Sequence, residues 1–153
     1  YLGMGSNMGD REEYINKAIK YLKENYKIEV VKATELIETK PYGLEQQDKF
    51  LNNVVKIRTL LDPLELLVLC KNIEKMLGRV KTEHWGPRPI DIDILFYDDL
   101  VIDSEDLVVP HEDMKNRSFV LEPMMDIAPY LRHPVFNKTI KEMYTELLNQ
   151  NSN

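Results

Sequence analysis

The chain has 153 residues, 43% of them hydrophobic and 30% charged, with a formal net charge of −6 and one cysteine. That length suits a single domain over residues 1–153 with a real hydrophobic core, and the composition excludes disordered, collagenous and disulfide-stapled chains. The acidic balance argues against broad nucleic-acid or membrane binding, so an anionic ligand must be met by a local group of cations.

The opening "YLGMGSNMGD" predicts a short strand ending at the Gly5-Ser6-Asn7 turn. Asp10 then caps a helix with Tyr14, Ile15, Ala18, Ile19 and Leu22 as its apolar stripe. The β-branched run "KIEVVKATELIET" predicts one strand through Thr39, broken by Lys40-Pro41-Tyr42-Gly43, and "FLNNVVKIRTLL" predicts the next. Asp62-Pro63 opens a second helix with Leu64, Leu67, Cys70, Ile73 and Leu77 as apolar positions, and Gly78 ends it. Cys70 shares the helical series Leu66, Cys70, Ile73, Leu77, which predicts a core thiol in a reducing compartment.

From Arg79 to Pro89 the chain is basic, turn-rich and aperiodic, as in an exposed, mobile loop. The strand around Asp91-Ile92-Asp93 follows. "FYDDLVID" predicts a tight hairpin turning at Asp98-Asp99, with Leu100 to Ile102 returning. "VVPHEDMKNRSF" is an irregular connector into a helix from about Arg117 to Ile127. Pro129 and Pro134 punctuate its end, and Thr139 starts a closing helix with Ile140, Met143 and Leu147.

The order β-α-β-β-α-β predicts an α+β fold, a ferredoxin-like core of mostly antiparallel sheet with helices on its faces and extra C-terminal helices. No apolar run has the length of a membrane span, and the amino terminus lacks the order of a signal peptide, so a cytoplasmic protein is expected. Tyr1 is not an initiator methionine and opens as though already inside a strand, which predicts a chain trimmed or cut from a longer one.

The chemistry concentrates in "WGPRPIDIDILFYDD". Residues two apart in a strand share a face, so Asp91 and Asp93 project together while Ile90, Ile92 and Ile94 project into the core. Paired carboxylates stay ionised around a divalent cation such as Mg²⁺; the bland alternative is a solvated strand face. Arg79, Lys81 and Arg88 lie in the loop feeding the acids, so cations suited to phosphate stand beside carboxylates suited to Mg²⁺, the description of a magnesium-nucleotide site. Trp85 either closes over that site or anchors the loop by packing. His111 and Arg117 flank a turn and offer a second set of donors to phosphate; the bland alternative for a lone histidine is a structural role. A Walker loop, the protein-kinase motifs and a zinc pattern are absent, and Gly3, Gly5 and Gly9 have the wrong spacing for a dinucleotide loop.

These residues resemble those of the 6-hydroxymethyl-7,8-dihydropterin pyrophosphokinase family of folate biosynthesis. The resemblance rests on Gly86-Pro87-Arg88-Pro89-Ile90-Asp91-Ile92-Asp93-Ile94-Leu95, together with "GSN", "TKPYG", "FLNNVV", "IEKMLGR" and "VPHEDMKNRSFVLEPMMDIAP". It implies transfer of the terminal diphosphate of ATP, the co-substrate, to the hydroxymethyl group of a reduced pterin, with release of AMP. Asp91 and Asp93 match the pair holding two Mg²⁺ ions, and Arg79 and Arg88 match loop arginines that engage the phosphates. His111, Arg117, Lys71, Glu74 and Ile94 match the nucleotide side. For the pterin, Asn52 matches an amide that reads the ring edge by donating and accepting. Phe50 and Phe119 match the stacking walls, and Thr39, Pro41 and Tyr42 match backbone beside the ring. Glu112 and Asp106 depart from relatives that carry aromatic or basic residues near the nucleotide. The resemblance also accommodates fusion or association with a neighbouring folate-pathway enzyme.

Two competing readings are another Asp-x-Asp transferase using a metal nucleotide and a non-catalytic ferredoxin-like module binding a ligand or RNA. The whole-chain resemblance argues against the first, and the acidic balance disfavours RNA.

Overall fold

The computed structural model of the chain describes residues 1–40, 48–78 and 89–151. Its sheet is built around β1 (Leu2–Ser6), which pairs antiparallel with β4 (Phe50–Thr59) on one edge and with β5 (Asp91–Ile94) on the other. The far edge of β4 carries β2 (Ile28–Ala33) and β3 (Ile37–Thr39) end to end, so the order is β2-β4-β1-β5 with every pairing antiparallel. That is the predicted ferredoxin-like arrangement. The single strand expected through Thr39 is two strands. Between them Thr34 donates its N–H to the Val54 carbonyl and accepts the Val54 N–H on its hydroxyl, each at 2.9 Å. A threonine side chain here replaces a rung of the ladder.

One face of the sheet is covered by α1 (Arg11–Glu24) and α2 (Pro63–Met76). Asp10 caps the first, accepting the Glu13 N–H at 3.1 Å. Asp62 and Glu65 form a reciprocal capping box at the second, with bonds of 2.8 and 3.0 Å. Ile15, Ala18, Leu22, Leu66, Cys70 and Ile73 pack there against Leu2, Met4, Val55, Ile92 and Ile94. Leu64, expected in the core, is 53% exposed. The buried series Leu66, Cys70, Ile73, Leu77 sets the phase of the helix, and a residue two before Leu66 falls about 200° from it. The Cys70 thiol is pushed up to about 12 by burial, with the Glu74 and Asp93 charges adding, so it stays protonated in the core.

The opposite face is covered by α3 (Ser118–Ile127), α4 (Ile140–Asn151) and a 3-10 turn, Met114–Asn116, packed on Val54, Leu95 and Phe96. The expected hairpin is corrected here. Asp98 takes the turn, at φ +50°, but the returning segment does not pair with β5. Instead β6 (Ile102–Asp103) pairs with β7 (Val108–Val109), and the Tyr97 hydroxyl ties the outgoing chain to the Leu61 carbonyl before α2. Past the end of β5, the Leu95 N–H goes to Tyr1 and the Leu95 carbonyl accepts the His111 N–H at 3.0 Å.

The segment before α4 turns around His133. Its Nδ1 accepts the Val135 and Phe136 N–H groups, each at 3.1 Å, and its ring stacks on Phe136 with centroids 4.2 Å apart. A protonated imidazole loses that acceptor, and burial lowers the pKa of His133. Below the ordinary histidine pKa of about 6.5 the unfolded chain therefore takes up a proton that the folded chain resists, and stability falls as the pH drops. His133→Asn keeps an acceptor that does not titrate. Urea unfolding of this variant is expected to show a smaller loss of stability between pH 7 and pH 5 than the parent, with the similarly shifted His111 common to both. An equal loss would show that His133 titrates alike in both states.

Candidate active site

The register of β1 creates the site. Gly5 lies opposite Asn52 on β4 and Asp91 on β5, and Gly3 lies opposite Val54 and Asp93. The pleat turns these positions to the face away from α1 and α2, while Met4, Ile92 and Ile94 turn inward. With no side chains at Gly3 and Gly5 the face is hollow. A Cβ on Gly5 would sit 2.8 Å from Asn52 Oδ1 and 3.4 Å from the Phe50 ring; one on Gly3 would meet the Leu95 methyls at 3.3 Å.

Over this floor is a cavity of about 580 Å³, bounded by Phe50, Asn52, Asp91, Asp93, Arg117 and Phe119 among others. That size suits a small organic ligand. Asn52 donates from Nδ2 to the Thr39 hydroxyl at 2.5 Å, which bridges β4 to β3 and leaves the amide carbonyl nearest Gly5. The chain entering β4 is held from the β1-α1 connection and the first residue of α1. Asn7 donates to the Asp48 carbonyl at 3.3 Å and Arg11 to the Lys49 carbonyl at 2.9 Å, which sets the position of Phe50.

A second cavity, of about 320 Å³, adjoins the first and is lined by Lys71, Glu74, Ile94 and Asp106. Asp91, Asp93, His111 and Glu112 border both cavities. Glu74 is buried, and its carboxylate accepts the Ile92 N–H at 2.8 Å, so it fixes β5 to α2 from beneath the acids. His111 Nδ1 accepts the Asp113 N–H at 3.4 Å, which leaves the ring proton on Nε2, 3.9 Å from Asp93 Oδ2. Burial, then the Arg117 charge, lowers the pKa of His111 against the pull of Asp91, Asp113 and Glu112. Arg117 Nη1 is also 3.9 Å from Asp93 Oδ2, and its Cζ lies 5.5 Å from the Phe119 ring centroid. Both 3.9 Å separations are ion-pair contacts longer than hydrogen bonds.

The structure thus gathers Thr39, Phe50, Asn52, Asp91, Asp93, His111, Arg117 and Phe119 around the larger cavity and Lys71, Glu74 and Ile94 around the smaller. Pro41, Tyr42, Arg79, Lys81, Trp85 and Arg88 lie outside the described residues, as does most of the expected loop. Glu112 and Asp106 stand in the smaller cavity as acids. Sequence reasoning missed Gly3, Gly5 and Asp113. Glycines alternating within a strand do signal a close approach, and Asp113 precedes Arg117 by four residues. Among the described residues no group of three or more His, Cys, Asp or Glu side chains is placed to hold a metal ion, so Asp91 and Asp93 offer a pair of carboxylates rather than a closed protein cage.

Comparison with known proteins matches residues 1–129 to the family model described as 7,8-dihydro-6-hydroxymethylpterin-pyrophosphokinase. The 2-amino-4-hydroxy-6-hydroxymethyldihydropteridine pyrophosphokinase of Aquifex aeolicus is 47% identical over 146 residues, covering 95% of this chain and 90% of the relative. The Bifunctional protein FolKE of Lactococcus lactis is 48% identical over 127 residues, covering 83% of this chain but 36% of the relative. In solved structures, the wild-type HPPK-DHPS of Plasmodium falciparum with pteroate superposes with a TM-score of 0.76 at 20% identity. It covers 97% of this chain and 42% of that one, a likeness of fold.

The two glycines of the floor should respond differently to an added methyl. In Gly5→Ala the new Cβ strikes the polar end of Asn52, and the Asn52 side-chain amide resonances are expected to move as its bond to Thr39 breaks. In Gly3→Ala it meets the Leu95 methyls, away from the Asn52 amide, and those resonances should stay close to the parent. Unchanged Asn52 resonances in Gly5→Ala would show that the amide has room to spare.

Proposed function

The chain belongs to the 7,8-dihydro-6-hydroxymethylpterin-pyrophosphokinase family, and we propose that its two cavities divide the family's reaction, in which ATP passes its terminal diphosphate to 6-hydroxymethyl-7,8-dihydropterin in folate biosynthesis. The observation that carries this reading is the meeting of both cavities at Asp91 and Asp93, adjacent acids on one strand face.

In this reading the larger cavity takes the pterin. Phe50 and Phe119 are its apolar walls and suit any flat ring, so selection falls to the polar edge. Asn52 presents its carbonyl over Gly5 while Thr39 holds its amide nitrogen. This favours a ring edge that donates there, more specific than the donor-and-acceptor role expected of a free amide. Asn52 and Asp91 sit two strands apart across Gly5, a gap of about 10 Å. A ring bound at Asn52 therefore directs its hydroxymethyl group toward the acids.

The smaller cavity takes the nucleotide, with Lys71, Ile94 and His111 on it, Glu74 supporting β5, and Arg117 reaching toward Asp93 from the larger cavity. Arg79, Lys81, Trp85 and Arg88 are assigned to the same side by their sequence. Asp91 and Asp93 fit magnesium, two ions in our reading, because two carboxylates leave the other oxygen positions to water and phosphate, as that cation prefers. Bound there, magnesium supplies neutralisation of phosphoryl charge. The pterin hydroxyl oxygen forms a bond to the β-phosphorus as the bond from that phosphorus to the α,β-bridging oxygen breaks; the electron pair leaves with AMP, and the hydroxyl proton is released to water. Arg117 and the Nε2–H of His111 donate toward the oxygens on which charge grows, and no nucleophilic side chain is needed.

Partners and place follow more broadly. The substrates are small molecules, the whole chain 1–153 acts as one domain, and the acidic, reduced-thiol chain works in the cytoplasm. Among the described residues no helix is long and apolar enough to cross a membrane. Union with a second folate enzyme is proposed by analogy with FolKE, of which this chain matches about a third.

Incubation with MgATP and the reduced pterin should release AMP and a pterin diphosphate identifiable by mass. Failure to form both would sink the assignment. Asp91→Asn and Asp93→Asn are each expected to lower turnover by about two orders of magnitude or more while pterin affinity changes little. Near-normal turnover in both would remove the metal role. Asn52→Leu should weaken pterin binding by about 1–3 kcal/mol, the cost of an unmet buried partner. Calorimetry should then find MgATP affinity unchanged, whereas equal losses for both ligands would mark Asn52 as a strand bridge only.

A further inference from the structure

Three hydrogen bonds converge on Asp113. Its N–H is donated to His111 Nδ1 at 3.4 Å, its Oδ2 accepts from Arg117 Nε at 3.4 Å, and its Oδ1 accepts from Asn116 Nδ2 at 2.9 Å. The last bond ties the carboxylate to the Met114–Asn116 turn, whose Met114 is buried against α3 and α4. Asp113 therefore sits on a fixed support rather than at the end of a mobile chain.

We propose that Asp113 is a positioning residue for phosphoryl transfer, holding Arg117 and His111 in the orientation that delivers their donors to the transferring phosphate. The proposal rests on the pyrophosphokinase reading and assigns a role at the same site. Guanidinium is a planar fork, and occupying the Nε side decides where the other donors point. With Nε on Asp113 and Cζ 5.5 Å from the Phe119 ring centroid, the Arg117 side chain is 9% exposed and aims Nη1 at Asp93 Oδ2 across 3.9 Å. That separation exceeds a hydrogen bond, so this contact gives way to a phosphate oxygen at little cost, while the bond to Asp113 keeps the aim. The backbone of Asp113 does the same for His111. By occupying Nδ1 it places the remaining N–H on Nε2, toward the boundary of the two cavities.

A role confined to the 3-10 turn would leave the chemistry of Arg117 untouched, and a double-mutant cycle separates the two. Single-turnover rates with MgATP and the reduced pterin are to be measured for the parent, Asp113→Ala, Arg117→Ala and the double variant, with pterin affinity by calorimetry. Asp113→Ala is expected to slow the chemical step about 10-fold or more, with pterin affinity within about two-fold of the parent. In the Arg117→Ala background the same substitution should change the rate by less than about two-fold. Asp113→Asn, close in shape and still an acceptor, should recover part of the rate, and it repeats the cycle if the alanine variant does not fold. A full, multiplicative loss in the Arg117→Ala background, or a parent-like rate in Asp113→Ala, overturns the proposal. A parent protein that forms no AMP overturns the underlying reading as well, an outcome distinct from a failed cycle in an active enzyme.

Discussion

The antiparallel register of β1 between β4 and β5 is the constraint on which the site depends. It sets Gly5 between Asn52 and Asp91 and Gly3 between Val54 and Asp93, so a strip without side chains separates an amide from a pair of acids. Strand side chains alternate with a period of two, and a slip of one residue would turn Asp91 and Asp93 into the layer under α1 and α2. The apolar layer enforces the register. Leu2, Met4, Ile92 and Ile94 are all buried on the helix side, so a slip would expose them as it buried the acids.

Packing on that face also reaches the chemistry from beneath. Glu74 is a buried acid on a core helix, tolerated because the Ile92 N–H satisfies it, and the bond carries α2 into the middle of the strand bearing Asp91 and Asp93. On the other face the chain after β7 returns to Leu95 through the His111 N–H, then turns through Asp113 to bring Arg117 toward Asp93. Two layers of the fold thus meet along β5 and at Leu95 just beyond it.

Much of this was legible because the signals were local and chemically unambiguous. Asp62-Pro63 announced a helix start, and the structure supplies both halves of its capping box. Alternation in Ile90-Asp91-Ile92-Asp93-Ile94 assigned the acids to one face before any partner strand was known. The errors arose where a local signal was overridden by a distant contact. The Asp98 turn exists, but no hairpin forms with β5: Tyr97 is drawn to Leu61, and the chain beyond the turn pairs as β6 with β7. Thr34 sits in a run of strand formers, yet its hydroxyl takes over a bond from the ladder.

The sequence by itself determined the class of fold, the acidic pair and, through resemblance across the chain, the family of the reaction. Those properties reside in periodicity and in the identity of residues close together in the chain. Only the tertiary structure decided that Gly3 and Gly5 form a floor, that Thr39 takes one end of the Asn52 amide, and that Asp113 joins His111 to Arg117. Each of these depends on the absolute register between strands or the return path of a connector. Such relations come from long-range packing energies summed over both layers of the core, and no short window of sequence contains them.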